Sequence, residues 1–255
     1  MEKSNTNDAF VHVLYKKLGE TPNETILRWK KENPGHDETT MTYAGRLDPM
    51  AEGLLLVLSG KALQEKEKYL GLPKTYEFEM LWGFGTDTFD VLGKVEAQSR
   101  FAPPDERLLQ KEVSQHIGRF EQVYPPYSSK PVSGKPLWKW AREGRLSQIE
   151  LPKHQVDLYD VEFLERKEIS GEELLQDIEE KLALVTGDFR QEESLAEWRR
   201  RLSGREKDLF TIDKIRIRVS SGFYVRQFVQ DMASIFAASA TTFAIRRTEL
   251  GEYKL

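Results

Sequence analysis

FTIDKIRIRVSSGFYVRQFVQDMA, residues Phe210 to Ala233, carries two periods back to back. Ile215, Ile217 and Val219 alternate with Lys214, Arg216 and Arg218, which predicts a strand over Phe210–Ser220. Ser220-Ser221-Gly222 interrupts it. Val225, Phe228, Val229 and Met232 then follow at helical spacing, so Tyr224–Ala238 is expected as a helix. Alternation means a strand covered on one face, as in antiparallel sheets; a buried parallel strand reads as an unbroken apolar run.

Working outward, Thr75–Gly83, Gln155–Leu164 and Thr242–Leu250 are expected as strands, and Phe120–Tyr124 as a short one. The LLLVL run within Gly53–Ser59 suits a buried strand or a short helix, which periodicity does not distinguish. Helices are expected at Thr21–Lys31 (capped by Thr21 or Asn23, with Pro22 in the first turn), Ala62–Leu70, Pro104–Ile117 and Leu137–Glu143. ENPGHDETT and YPPYSSKPVSGKP read as loops. Strands and helices mix without a regular strand-helix-strand beat. The expectation is one α+β domain over 1–255, with a mixed, mainly antiparallel sheet and flanking helices.

The 255 residues include no cysteine, which excludes disulfides and thiolate metal sites. The four histidines lack ligand spacing, so no metal site is expected. No apolar run approaches the roughly 20 residues of a membrane helix. MEKSNTNDAF lacks a signal-peptide pattern, so a cytoplasmic location is expected. The net charge of −4 opposes a nucleic-acid partner until its distribution is read. Residues 168–197 hold ten acidic and two basic side chains, so the rest of the chain is mildly basic. That stretch reads as one or two helices with a solvated face, inserted at about 168–206.

Asp48, in TYAGRLDPMAEGLLLVLSG (Thr42–Gly60), is either a turn residue before Pro49 or a carboxylate held at the lip of a core. In the second case it needs a cationic partner to stay ionised. Arg226 is the candidate, because a helix dipole disfavours a cation in a first turn. Tyr76, at the head of a strand, is either packing or a platform on which a base stacks. Two stretches mix bases with aromatics in a pattern that suits RNA. Tyr124–Arg145 holds Lys130, Lys135, Lys139, Arg142 and Arg145 beside Trp138 and Trp140; Ala244–Tyr253 holds Arg246 and Arg247. No phosphate-binding, dinucleotide-binding or serine-nucleophile motif is present.

Five segments, in order, resemble the TruB-type tRNA pseudouridine synthases. They are YAGRLDPMAEGLLLVLSGKA, KTYEFEMLWGFGTDTFDVLGKV, YPPYSSKPVSGKPLWKWAREG, RIRVSSGFYVRQFVQDMA and IRRTELG, spanning Tyr43 to Leu250. The resemblance implies the pseudouridine synthase α+β fold with a central RNA-binding cleft. It implies conversion of the T-loop uridine of tRNA, position 55, to pseudouridine without a cofactor. Asp48 would be the catalytic residue, Tyr76 the base-stacking tyrosine, Arg226 the partner of Asp48, and Ile245 the apolar pocket residue. Lys130, Lys135, Arg142, Arg246 and Arg247 would contact RNA. Tyr43 and Arg46 stand where the family carries His and Thr, and are taken as substrate-binding. The expected partner is the tRNA T-arm, with a monomeric enzyme and no obligate protein partner. The sequence ends with LGEYKL, so no C-terminal PUA domain is expected. The GRLD tetrapeptide is also similar to the RluA- and RsuA-type enzymes. An rRNA-directed synthase and a non-catalytic tRNA-folding chaperone are the alternatives.

Overall fold

A computed structural model of the chain describes residues 9–98 and 103–255. Its first half forms β1 (Ala9–Lys16), α1 (Pro22–Glu32), β2 (Met41–Ala44), β3 (Ala51–Gly60), α2 (Lys66–Leu70), β4 (Lys74–Trp82), β5 (Phe84–Thr86), β6 (Val95–Gln98) and α3 (Glu106–Gln115). There follow β7 (Gly118–Val123), β8 (Pro131–Val132), β9 (Lys135–Pro136), α4 (Leu137–Arg142) and β10 (Lys153–Ser170). The chain closes with α5 (Gly171–Ala183), α6 (Gln191–Leu202), β11 (Leu209–Val219), α7 (Val225–Ile235), β12 (Ala240–Leu250) and β13 (Tyr253–Lys254).

The main sheet runs β1-β3-β12-β4-β11-β10-β7, with β2 added to β3 and β13 to β12. β3 and β12 are parallel; the other pairings of this sheet are antiparallel. The architecture is the α+β, mainly antiparallel one that the alternating strands imply. Tyr76 and Phe78 of β4, Ile215 and Ile217 of β11 and Ile245 of β12 share one sheet face. On that face they pack against Phe228, Val229 and Met232 of α7 and Leu109 and Val113 of α3. Each such side chain contributes about 1.5–3 kcal/mol on full burial.

The LLLVL run is a strand. It lies between β1 and β12. It is apolar throughout because both of its faces are covered: Leu54, Leu56 and Leu58 enter one core cluster, Leu55 and Val57 another. β10 runs on to Ser170, past the expected end at Leu164. Its last turns pair charged residues across to β11, such as Glu165 with Lys214, so an apolar period is missing there. The sequence reading assigns no element to β1. Phe10, Val13 and Tyr15 are exposed on it while Lys16 is wholly buried, so its apolar residues do not mark its buried face.

The acidic stretch forms α5 and α6 at the end of the β10–β11 hairpin, where Ser170 still faces Leu209. Ser170 closes a capping box with Glu173 at the start of α5. Leu174, Ile178 and Leu182 of α5 and Trp198 and Leu202 of α6 are buried against Phe84, Val91, Phe210 and Phe243. The acidic side chains of α5 face outward, but the two helices form part of the core as well as a solvated face.

Candidate active site

Asp48 lies in the connection between β2 and β3, and its own carbonyl accepts from Ala51 N at 3.0 Å, closing a turn. Gly53 lets β12 come close beside this turn: at φ 108° its place has no room for a Cβ, which would lie 2.3 Å from Arg247 O. Two buried cations brace the connection through its carbonyls. Lys16 Nζ donates to Ala51 O at 2.5 Å and to Pro49 O at 3.4 Å. Arg247 donates to Leu54 O at 2.7 Å and to Gly45 O at 3.1 Å. Beyond them, Lys74 donates to Leu70 O and Leu72 O, both at 2.6 Å. Burial lowers the pKa of Lys16 and of Lys74 to about 8.

Arg226 reaches the Asp48 carboxylate from the first turn of α7. That helix start has no side-chain cap of its own. Buried Gln122 of β7 serves it instead, accepting from Tyr224 N at 2.8 Å and donating to Tyr224 O at 3.1 Å. Arg226 Nε and Nη2 lie 2.9 and 2.8 Å from Asp48 Oδ2. Its remaining donors go to Thr88 O and, at 3.1 Å, to Tyr127 O. Burial disfavours the guanidinium charge, but Asp48 and Asp90 outweigh that and raise its pKa.

Asp90 is the second carboxylate, 3.7 Å from Arg226 Nε. It sits in the turn between β5 and β6 and accepts from Thr88 Oγ1 at 2.6 Å and Leu92 N at 3.1 Å. Gly93 keeps this turn tight, since a Cβ there would fall 2.4 Å from Thr88 Oγ1. Burial is the largest influence on Asp90 and raises its pKa to about 6 against the pull of Arg226.

These groups open onto a cleft of about 740 Å³. Tyr76, Ile245, Leu47 and Phe223 line it as apolar wall, and Asp48 stands at its lip with Arg46. No hydrogen bond ties the Tyr76 hydroxyl to another described residue, and the residue is 8% exposed. The lining cations are Arg46, Lys74, Arg142, Arg190, Arg226 and Arg247; the lining acids are Asp48, Asp90 and Asp188. The cleft is therefore cationic in a chain whose net charge is −4. Among the described residues, no cluster of three His, Asp or Glu side chains could hold a metal ion.

The structure brings Asp48, Arg226, Tyr76, Ile245 and Arg46 to one cleft, with Arg142 on its wall. Arg247 lines it too, with its guanidinium taken up by backbone carbonyls; Tyr43, Lys130, Lys135 and Arg246 are not in the lining. Tyr43 packs against the cluster of Leu14, Ile26, Leu55 and Val57, outside the cleft lining, and its hydroxyl accepts from Arg46 Nη2 at 3.3 Å. Lys130 lies over the Tyr124 ring, and Lys135 is 2.5 Å from Glu143 and over the Trp140 ring. Two of the expected RNA contacts offer no free cation to the cleft. Arg247 is wholly buried and holds backbone carbonyls. Arg246 faces Glu77 across the strand pair, on the opposite side of the sheet from Tyr76 and Ile245. Strand alternation is the physical reason: of three consecutive residues, the middle one must point away.

Sequence reasoning missed Asp90, Tyr127, Arg190, Lys16 and Lys74. Asp90 carried a signal, as the last acid of the TDTFD turn beside β5. Lys74 and Tyr127 lie within the quoted family segments without a local sign of their role, and Lys16 and Arg190 reach the site from elements remote in sequence.

The family described as TruB family pseudouridylate synthase (N terminal domain) matches residues 36–181. The chain is similar to tRNA pseudouridine synthase B of Bordetella avium, 28% identical over 247 residues, covering 96% of this chain and 82% of the relative. It is 27% identical to tRNA pseudouridine synthase B of Psychrobacter cryohalolentis over 88% of this chain, spanning half of that relative's length. Among solved structures, a chain of a Cbf5-Nop10-Gar1 complex is similar in fold, with TM-score 0.58 and 18% identity. That match covers 96% of this chain and 49% of the other. A chain of an H/ACA RNP bound to a substrate RNA containing 2'-deoxyuridine gives TM-score 0.54 at 18% identity, covering 96% of this chain and 48% of the other.

Proposed function

The chain belongs to the TruB family of pseudouridylate synthases, and on that premise we propose that it isomerises the T-loop uridine of tRNA, position 55, to pseudouridine. The relatives named tRNA pseudouridine synthase B support tRNA as the substrate. The observation that carries the reading is the carboxylate of Asp48, open to the cleft and held by an arginine that solvent does not reach.

In the reaction the C1′–N1 bond breaks, the uracil turns, a C1′–C5 bond forms, C5 loses its proton and N1 takes one up. Atoms and charge balance without an oxidant or a second substrate. Electron deficiency develops at the sugar carbon as the base leaves, as in glycoside cleavage. An ionised carboxylate at that carbon stabilises it or traps it. We assign this role to Asp48, which the Arg226 fork holds and aims. The uridine must leave its stack to enter the cleft, which costs a few kcal/mol. Stacking on Tyr76 returns roughly 1–3 kcal/mol of that. Ile245 and Leu47 complete a dry wall for the base. The cationic lining, with Arg46 and Arg142 toward the rim, is placed for the phosphates of the T-arm.

The test is tritium release from C5-labelled uridine in an unmodified tRNA transcript, beside the same tRNA with the T-loop uridine replaced. Release confined to the intact T-loop is expected. Release from both would mean another target site, and tight binding without release would leave a non-catalytic RNA-binding protein.

A further inference from the structure

The acidic helices touch the cleft at one place. The turn between α5 and α6 contributes Asp188, Phe189 and Arg190 to its lining. Arg190 is at odds with its own position. It is the N-cap of α6, at φ 62° and ψ 31°, and its side chain caps nothing. N-caps favour Ser, Thr, Asp and Asn. A left-handed backbone favours Gly or Asn, and the N-terminal end of a helix disfavours a cation. Three local preferences are overridden at one residue, which points to a gain elsewhere in the fold.

The gain is at Asp87. Arg190 Nη1 lies 2.7 Å from Asp87 Oδ2, and the two side chains are only 14% and 12% exposed. The guanidinium also lies over the Tyr127 ring, 4.8 Å from its centre. The Tyr127 hydroxyl donates to the same Asp87 oxygen at 3.1 Å. Burial, then Asp87, pushes Tyr127 up to about 12, so it keeps that proton. The other oxygen of Asp87 accepts from Lys94 N at 2.9 Å and ties the turn together. The two carbonyls that receive Arg226 belong to Tyr127 and to Thr88, the neighbour of Asp87. Arg190 thus binds together the two segments from which Arg226 is hung.

We propose that Arg190 is a positioning residue for the isomerisation: by locking Asp87 against Tyr127 it sets the Thr88 and Tyr127 carbonyls that aim Arg226 at Asp48. This rests on the function proposed above. It also gives the acidic helices a task, which is to carry one arginine from the far end of the β10–β11 hairpin to the cleft. Arg142, paired with Asp188 at 2.8 Å, joins the same turn to α4 across the cleft wall.

The test compares Arg190→Ala and Arg190→Lys with Arg199→Ala. Arg199 lies on α6 but pairs with Glu179 on the outer surface, away from the cleft. Three quantities are read: the single-turnover rate of tritium release, the Kd for the tRNA transcript, and the ¹⁵Nε resonance of Arg226. Arg190→Ala is expected to lower the rate about 10- to 100-fold, as a small misplacement of a reacting group does. Its Kd should stay within about threefold, because the loss falls on the reacting geometry and not on ground-state binding. Arg190→Lys should recover part of the rate, and only Arg190→Ala should shift the Arg226 resonance strongly. A weakened Kd with an unchanged rate would make Arg190 a phosphate contact and overturn the proposal. Wild-type rate and resonance in Arg190→Ala would overturn it as well. Should Arg190→Ala fail to fold, Arg190→Lys decides: a lowered rate at unchanged Kd supports the proposal, and wild-type behaviour overturns it. If the unmodified protein releases no tritium, the proposed function falls. The link from Arg190 to Arg226 is then judged on the resonance alone.

Discussion

Arg226 Nη2 stands 2.8 Å from Asp48 Oδ2, with the arginine side chain 4% exposed and the aspartate 33% exposed. The pair is asymmetric in a useful way. Its cation is almost wholly buried, so salt screens it little. Its anion projects into the cleft, where a substrate can meet it. The local dielectric falls from the lip inward, so the arginine holds the carboxylate more firmly than an exposed partner would.

Asp48→Asn keeps the shape and an acceptor for Arg226 but removes the charge. Turnover should fall by about 10³-fold or more. Affinity for the unmodified transcript should stay near that of the wild type, since the cationic lining is left unchanged. Tritium release and a binding titration on the same preparation check both halves. Near-normal turnover in this variant would remove Asp48 from the mechanism.

Tyr76 forms apolar wall in the cleft, and its ring is its main asset there. Tyr76→Leu removes about 1–3 kcal/mol of base stacking, so the single-turnover rate should fall roughly 10- to 100-fold. Tyr76→Phe keeps the ring and should bind substrate as the wild type does. If leucine and tyrosine serve equally, the ring does not stack on the base.

Asp90 makes stability depend on pH in a sense opposite to a salt-bridged surface carboxylate. Its folded pKa of about 6 lies above the ordinary 3.8, so between those values the folded chain holds a proton that the unfolded chain has released. Stability therefore falls as pH rises from about 4 to about 6, by an amount on the order of 3 kcal/mol, and is level above. Asp90→Asn abolishes the titration. Urea midpoints at pH 4, 5, 6 and 7 should show the wild type losing ground to Asp90→Asn across that window. A constant difference, or one that grows in favour of the wild type, contradicts the assignment.

Much of the fold was legible because its signals are local. The capping box of Thr21 and Glu24 opens α1 where the sequence reading placed it. The alternation in β4 and β11, and the break at Ser220-Ser221-Gly222 before α7, are properties of neighbouring residues. The α+β class follows from such signals. So does the suspicion attached to Asp48 and Arg226, since a carboxylate beside leucines and a cation at a helix start are each locally unfavourable. The family resemblance extended that suspicion to Tyr76 and Ile245.

What the sequence by itself determined is the menu of elements and the residue types fit for chemistry. Only the tertiary structure decided which of them meet. Arg246 and Arg247 look equivalent in sequence, yet the pleat sends one behind the sheet and buries the other against Leu54 O and Gly45 O. Nothing in the sequence around Lys16 and Lys74 marks them as buried, yet the sheet order closes over both. Arg190 is an oddity of a helix start until Asp87, 103 positions away, is found against it. These outcomes are set by sheet order and register, which depend on contacts between segments far apart in the chain. No window along the sequence contains both partners.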